Sequence, residues 1–276
     1  MSDTTADYEV LRLDEGGLST RVEEVAHEEP LELQLDGVPF AVLMRTPGHD
    51  EDLARGFLLT ERIIERLEDV VSVRHCTTAP DPEADGNVVR VRLRDGVRVD
   101  LEQLRRNTFA SSSCGVCGKA TIASACGLAA PLEADRSSPD PMTMRRDALL
   151  GAPDLLYTAQ AGFAKTGGVH AAGLFTRAGE LVLAREDVGR HNAVDKALGK
   201  AAASGIDFTQ VALVVSGRVS FELVQKAAAV RIPILAGISA PTSLAVRAAR
   251  ALRMTLIGFL RGATMNVYAG EERLET

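Results

Sequence analysis

The sequence predicts an α/β protein, α+β overall, in which a smaller β-rich N-terminal domain precedes a larger domain whose sheet is covered by helices. Two observations support this fold class. After residue 170, apolar strand-like runs alternate with helix-like runs, which is typical of a sheet buried on both faces. Before residue 110, short alternating runs are joined by Asp-Gly turns, which is typical of hairpins. We therefore expect domains at residues 1–110 and 143–276, separated by a loop and connector at 111–142.

Two hairpins are predicted in the N-terminal domain. The first joins strands at 31–35 and 38–44, and Pro39 places the start of the second strand at a sheet edge, because proline cannot donate to the ladder. The other hairpin joins strands at 89–93 and 97–101. Arginines alternate with its apolar residues, and we interpret them as the solvent-exposed face of the hairpin.

Helical spacing of apolar residues predicts one N-terminal helix at 50–67. Gly56 lies inside it and costs about 1 kcal/mol of helix stability relative to alanine, so we expect a close packing contact at this position. After the connector, residues 143–151 and 153–160 are predicted to form two short helical pieces.

The C-terminal domain is predicted to begin with a hairpin and to continue with alternating helices and strands. The hairpin strands lie at 171–175 and 181–184. The later elements are predicted as helices at 191–204, 221–230 and 243–252 and as strands at 211–215, 234–238 and 255–260.

Charge and composition exclude several classes of protein. The formal net charge is −7, which argues against nonspecific binding to nucleic acid, and it divides into −11 for residues 1–110 and +4 for residues 111–276. Tryptophan is absent and aromatic residues make up only 4%, which argues against stacking on single-stranded nucleic acid. No apolar run reaches about 18 residues and no signal peptide opens the chain, so we expect a cytoplasmic protein without membrane contact.

Cys114 and Cys117 form a C-x-x-C sequence that allows three interpretations. It could be half of a structural zinc site, completed by Cys126, His170 or His191. It could also be a redox pair, although the polar, serine-rich segment before it does not resemble the strand that normally precedes such a pair. The preferred interpretation is a reactive thiol on an exposed loop, because Gly115 and Gly118 leave the backbone open and Lys119 nearby favours the thiolate.

Polar segments follow several predicted strands, and each helix that starts there offers free N–H groups to an anion. The alternative at any one junction is ordinary helix capping, for example by Ser239 or Thr242. His191 and Asp195 share a helix face, so a carboxylate-oriented imidazole could carry a proton, bind a metal or hold a ligand. The candidate binding residues at these junctions are Gly189, Arg190, His191, Asp195, Ser216, Gly217, Arg218 and Ser239.

In combination, these motifs resemble the FdhD family of formate dehydrogenase accessory sulfurtransferases. The resemblance rests on the C-x-x-C segment at 114–118, on 186–196, on 216–218 and on 258–262, with further matches near the N-terminus at 28–31 and 52–61. It implies a cytidine-deaminase-like C-terminal domain with a mixed sheet covered by helices. Deaminase chemistry itself is rejected, because the H-x-E and P-C-x-x-C signatures of zinc deaminases are missing from the sequence.

The resemblance implies a sulfur carrier. A cysteine desulfurase would load persulfide sulfur onto Cys114, with Cys117 as helper, and the protein would pass it to the molybdenum (or tungsten) bis(molybdopterin guanine dinucleotide) cofactor before that cofactor enters the catalytic subunit of formate dehydrogenase. The cofactor is then a bound substrate, no permanently bound metal is expected, and the protein is expected to be a homodimer. The resemblance also implies cofactor binding at Phe259, Leu260, Arg261, Gly262, Ala263 and Thr264.

Two alternatives belong to other functional classes. One is a zinc-stabilised chaperone that binds the molybdenum cofactor without chemistry, and the other is a simple dithiol oxidoreductase. Metal content and disulfide reductase activity, respectively, distinguish them from the sulfur carrier.

Overall fold

The computed structural model describes residues 4–76, 86–97, 99–100 and 142–275. The predicted C-x-x-C loop with Cys114 and Cys117 and nearly all of the connector lie outside the described residues, and the domain boundaries stay predictions. Within the described residues, the strands are β1 (Thr5–Asp14), β2 (Gly17–Ala26), β3 (Glu29–Leu35), β4 (Val38–Arg45), β5 (Val70–Cys76), β6 (Val88–Leu93), β7 (Met144–Arg145), β8 (His170–Phe175), β9 (Leu181–Asp187), β10 (Ala212–Val215), β11 (Ile234–Gly237), β12 (Thr255–Arg261), β13 (Thr264–Ala269) and β14 (Leu274–Glu275). The α-helices are α1 (Asp50–Thr60), α2 (Arg146–Thr158), α3 (Ala161–Thr166), α4 (Arg190–Ala203), α5 (Phe221–Ala229) and α6 (Ser243–Ala251).

The larger sheet has six strands in the order β13-β12-β11-β10-β8-β9. Strands β10, β11 and β12 are parallel, whereas β8 runs antiparallel to β10 and to β9, and β13 runs antiparallel to β12. The sheet is therefore mixed, as expected. Every strand and helix predicted after residue 170 is present, and each end lies within three residues of the predicted one. Continuous apolar strands could be located because the central strands are buried on both faces.

The smaller sheet has four strands in the order β4-β3-β6-β5. The first predicted hairpin is confirmed as β3–β4, and Pro39 lies on the edge strand β4. The second predicted hairpin is wrong in its pairing, because β6 pairs with β3 on one side and with β5 on the other. Both hydrogen-bonding edges of β6 are thus filled, so Val97, Val99 and Asp100 continue as coil rather than as a returning strand.

Two helix predictions need correction. Helix α1 ends at Thr60 instead of residue 67, because Arg62 adopts the left-handed conformation (φ 58°) and the chain folds back, with the Ile63 N–H donating to the Leu58 carbonyl. The two short pieces predicted around Pro153 are one continuous helix, α2. Its Leu149, Ala152, Pro153 and Leu156 are all buried, so packing of this face offsets the hydrogen bond that proline removes.

Strands β1 and β2 form a separate two-stranded ribbon that has no counterpart among the predicted elements. Most residues of the ribbon are exposed, including the apolar Leu11, Leu13 and Leu18. Since neither face is buried, the ribbon lacks the alternation that identifies a strand in a sequence. In the part of the chain that the structure describes, no helix combines the length and apolarity needed to cross a membrane.

Helices α1 and α4 pack closely and bring the N-terminal part against the larger sheet. A Cβ atom added to Gly56 would lie 1.8 Å from the Asp195 carbonyl oxygen, and one added to Gly199 would lie 1.8 Å from the Asp52 carbonyl oxygen. The expected packing contact at Gly56 is therefore confirmed. One hydrophobic cluster runs through this contact and includes both Leu33 and Leu235. Helix α4, which begins at the candidate site, is thereby fixed at its centre.

Candidate anion-binding site

The polar segments predicted at strand ends meet at one edge of the six-stranded sheet. Parallel strands β10, β11 and β12 end there, and the pairing of His170 with Asp187 places the start of β8 and the end of β9 at the same edge. Ser216 fixes the first junction, because its N–H donates to the Ala171 carbonyl (3.0 Å) and its hydroxyl accepts the Ala171 N–H (2.9 Å). The predicted junctions therefore lie at the same end of the sheet, and binding of a ligand there stays a prediction.

A backbone hydrogen bond connects the segment that follows β11 with the end of β12. The Phe259 N–H donates to the Ser239 carbonyl at 3.1 Å, and Phe259 adopts the left-handed conformation (φ 52°). The Arg261 guanidinium lies over the Phe259 ring, 5.4 Å from its centroid. Residues 261–264 are exposed, whereas Leu260 is fully buried in the core behind them. Of this predicted binding stretch, Arg261 offers the charged donors and Leu260 supports the strand.

Two helices begin at this edge without a side-chain cap. Gly189 is the N-cap of α4 and Ser220 is the N-cap of α5, and neither makes a side-chain capping hydrogen bond. The Ser220 Oγ instead lies 3.4 Å from Nε2 of His191, which links the two helix starts. Helix α6 differs, because the Thr242 hydroxyl accepts the Ala245 N–H. The Gly189 N–H already donates to Oδ1 of Asp187 at 2.8 Å, so the N–H groups available to an anion are those of the first helical turns that follow Gly189 and Ser220.

A cavity of about 470 Å³ lies beside the start of α4. Its wall contains the predicted residues Gly189, Arg190, His191 and Asp195. It also contains His170, which sequence reasoning considered only as a zinc ligand, and residues that it missed: Met44, Phe57, Glu61, Glu222 and Lys226. One sequence feature could have revealed this wall: Lys226 is a lysine on the otherwise apolar buried face of α5.

Asp195 does not orient His191, so that part of the sequence interpretation is wrong. The Asp195 carboxylate accepts hydrogen bonds from the Lys226 ammonium (2.8 Å) and from the Thr60 hydroxyl (2.7 Å), and all three side chains are buried. Lys226 also donates to Glu61 at 2.9 Å. Burial lowers the pKa of Lys226, but the carboxylates of Asp195 and Glu61 outweigh it and raise that pKa overall. Asp195 is therefore a positioning residue that ties α4 to α1 and α5.

The two histidines at this edge are neutral near physiological pH. Burial, followed by the charges of Lys226 and Arg190, lowers the pKa of His191 to about 3. Burial, followed by Arg190 and Arg218, also lowers the pKa of His170. Of the roles considered for His191, the neutral ring fits a ligand-holding group better than a proton carrier, because a carrier needs a pKa near the working pH.

Arg190 is the strongest cationic element of the site. Its side chain is half-buried, its Nε is fully buried, and no residue in the described ranges gives that nitrogen a hydrogen-bond partner or pairs the guanidinium with a carboxylate. A Cβ atom added to Gly217 would lie 3.3 Å from Nδ1 of His170 and 3.6 Å from the Arg190 Cβ, so Gly217 lies against both side chains. Arg218, which follows β10, and Arg261, the last residue of β12, are exposed at the same end of the sheet. The arrangement therefore favours an anionic ligand with more than one charge.

Three comparisons with known proteins point to the same family or fold over nearly the whole chain. A model of the FdhD/NarQ family matches residues 26–275. A Streptomyces avermitilis protein named sulfur carrier protein FdhD is 47% identical over 99% of this chain and 97% of its own length. A protein of the same name from Mycobacterium tuberculosis is 45% identical over 99% of this chain and 100% of its own length. The crystal structure of a Desulfotalea psychrophila protein, described as a formate dehydrogenase accessory protein, has a TM-score of 0.77 at 22% identity, covering 99% of this chain and all of the other, and thus shares the fold.

Proposed function

Since the chain belongs to the FdhD/NarQ family, we propose that it is a sulfur carrier in the maturation of formate dehydrogenase. In this proposal Cys114 accepts persulfide sulfur from a cysteine desulfurase. The protein then transfers the sulfur to a molybdenum (or tungsten) bis(molybdopterin guanine dinucleotide) substrate, which is afterwards inserted into formate dehydrogenase. The desulfurase, the catalytic subunit of formate dehydrogenase and a second copy of this chain stay predictions as partners.

The observation that carries the proposal is the half-buried Arg190 beside two uncapped helix starts. Each guanine dinucleotide has a pyrophosphate, and phosphate oxygens are suited both to a guanidinium fork and to first-turn N–H groups. Arg218 and Arg261 add two exposed cations at the same edge. The edge therefore supports binding of a substrate that carries several phosphates.

The sulfur chemistry requires two thiols, and the C-x-x-C sequence provides them. The Cys114 thiolate attacks the outer sulfur of the desulfurase persulfide, so an S–S bond forms on Cys114, the donor S–S bond breaks and the donor cysteine leaves as a thiolate. The Cys117 thiolate then attacks Sγ of Cys114. This forms a Cys114–Cys117 disulfide and releases the outer sulfur as hydrosulfide, reduced by two electrons, for the metal of the substrate. Two equivalents of a cellular thiol then reduce the Cys114–Cys117 disulfide, which restores both cysteine thiols and leaves the cellular thiol as its own disulfide.

Intact-mass measurement tests the proposal. After incubation with a cysteine desulfurase and free cysteine, the full-length protein should gain about 32 Da, the mass of one sulfur atom, as a persulfide. Cys114→Ala should abolish the gain, because the acceptor thiol is absent. Cys126→Ala is the matched control and should keep it, since the same side chain is removed outside the C-x-x-C sequence.

Two outcomes would contradict the proposal: the first contradicts the assignment of Cys114 as the acceptor, and the second contradicts the sulfur-carrier role itself. A mass gain that survives Cys114→Ala would move the sulfur to another residue. One tightly held zinc per chain together with no mass gain would instead favour the zinc-stabilised chaperone.

A further inference from the structure

A groove lined by arginines lies on the outer face of the four-stranded sheet, at the edge opposite β4. It encloses about 520 Å³ and contains Ser72 and Arg74 of β5, Arg90 and Arg92 of β6, and Asp36 of the β3–β4 turn. We call these five residues the arginine groove. It is separate from the cavity beside α4, whose wall includes residues of the other edge strand, β4.

The strand register brings like charges together in the arginine groove. Arg74 and Arg90 are direct partners in the antiparallel ladder, and Ser72 is the partner of Arg92, so all three arginines emerge from one face. Like charges in directly opposite positions destabilise a sheet unless an anion lies between them. Across the described ranges of the chain, these three arginines form no ion pair. This is unexpected in a segment whose net charge is −11, where acidic partners are plentiful.

Asp36 does not neutralise the arginine groove. It is the single acidic residue in the described lining, and its Oδ1 already accepts the Leu93 N–H at 3.4 Å. Among the described lining residues, three arginines therefore stand against one carboxylate, which gives this part of the groove a net positive charge.

Arg90 is held in position by its neighbours on β3. Its Nε donates to Oε1 of Gln34 at 3.0 Å, and Nε2 of Gln34 donates to Oε1 of Glu32 at 2.7 Å. This chain of hydrogen bonds fixes the stem of the arginine. Its two terminal nitrogens make no hydrogen bond within the part of the chain that the structure describes, so they can receive a carboxylate in the bidentate manner.

The spacing favours an extended acidic polypeptide. Arg90 and Arg92 are two residues apart on one strand, which corresponds to about 6.8 Å, and acidic residues at alternate positions of an extended segment repeat at the same distance. The described lining contains no phenylalanine, tyrosine or tryptophan on which nucleic acid bases could stack, and the whole chain carries a charge of −7.

We propose that the arginine groove binds an extended segment of a partner protein in which Asp or Glu occupies alternate positions. The carboxylates pair with Arg74, Arg90 and Arg92, and Ser72 offers a hydroxyl to the same segment. This docking site is independent of the proposed sulfur transfer, because it uses neither the candidate anion-binding site nor the C-x-x-C sequence.

A labelled peptide tests the docking site directly. Fluorescence anisotropy of a fluorescein-labelled peptide with alternating Glu and Thr is measured against the full-length protein at low salt. The variant Arg74→Gln/Arg90→Gln/Arg92→Gln should bind at least about tenfold more weakly, since each lost contact is a hydrogen bond between charged groups. The variant Arg12→Gln/Arg145→Gln/Arg177→Gln is the matched control and should stay within about twofold of the parent protein, because it changes net charge equally at exposed arginines paired elsewhere.

The controls separate this proposal from general attraction of anions. A peptide with alternating Gln and Thr should not bind. The proposal is overturned if the groove variant binds the acidic peptide as well as the parent protein does, or if a single-stranded oligothymidine of equal charge binds as tightly as the peptide. Thermal unfolding of both variants confirms that each is folded under the assay conditions.

Discussion

The candidate anion-binding site and the arginine groove both gather arginines, but they differ in what surrounds the charge. At the sheet edge, half-buried Arg190 lies beside two uncapped helix starts and near two neutral imidazoles. In the groove, the arginines lie on neighbouring strands of the four-stranded sheet and are exposed to water. Because water and salt screen exposed charges, a half-buried guanidinium can contribute more to binding than an exposed one.

The two regions also differ in the interactions that hold their side chains in place. Beneath the sheet edge, α4 is fixed by two buried pairs, Lys226 with Asp195 at 2.8 Å and Lys196 with Asp187 at 2.7 Å. The arginine groove is supported by the backbone hydrogen bonds between β5 and β6 and by the side-chain hydrogen bond from Arg90 to Gln34. Changes beneath the first region should therefore affect folding, whereas changes in the second should affect binding with little effect on folding.

The largest effect is expected from breaking the buried pair under the sheet edge. Lys226→Met leaves the Asp195 carboxylate buried without its cation, which should lower the free energy of unfolding by about 3–5 kcal/mol. Arg145→Met breaks the exposed pair with Asp147 and should cost less than about 1 kcal/mol. Urea unfolding followed by circular dichroism measures both.

A double variant isolates the cause of the Lys226 effect. Lys226→Met/Asp195→Leu removes both charges and should recover much of the lost stability, because the cost arises from an unpaired buried charge. If the double variant is as unstable as Lys226→Met, packing rather than charge supports this region.

A smaller effect is expected from the arginines of the sheet edge. Arg190→Gln should weaken binding of guanosine diphosphate, the probe for the nucleotide part of the proposed substrate, by about tenfold or more, since it removes charge-assisted hydrogen bonds in a partly buried position. Arg218→Gln removes the same charge from an exposed position and should weaken binding by about threefold or less. Isothermal titration calorimetry compares the two, and equal losses would show that burial of Arg190 is irrelevant to its contribution.

The sequence predicts these two regions unequally well. The sheet edge could be located because buried parallel strands read as continuous apolar runs, and their carboxyl ends must meet at one edge. Lys226 and Phe57 could not be placed there, because they come from helices whose packing depends on tertiary contacts. The shared helix face of His191 and Asp195 was correct, but spacing alone did not reveal that Asp195 binds Lys226 and Thr60.

The arginine groove shows a different limit of sequence reasoning. Alternation correctly predicted that the arginines after Val89 are exposed. It did not predict that β5 would be the partner strand, because alternation specifies which face is buried and leaves the choice of partner open. The opposition of Arg74 and Arg90 therefore became visible only in the structure.

The smallest effect is expected from relieving that opposition. Arg74→Gln removes the charge facing Arg90 and keeps the hydrogen bond from Arg90 to Gln34, so the free energy of unfolding should rise by about 0.2–1 kcal/mol at low salt. The gain should shrink at high salt, because screening weakens the repulsion in the parent protein. Arg12→Gln is the control: in a chain of net charge −7, loss of an arginine elsewhere should leave stability unchanged or lower it. Urea unfolding at two salt concentrations measures the difference. A stability loss for Arg74→Gln would mean that the arginine is already balanced within the folded chain, which would remove the electrostatic reason for a partner in the groove.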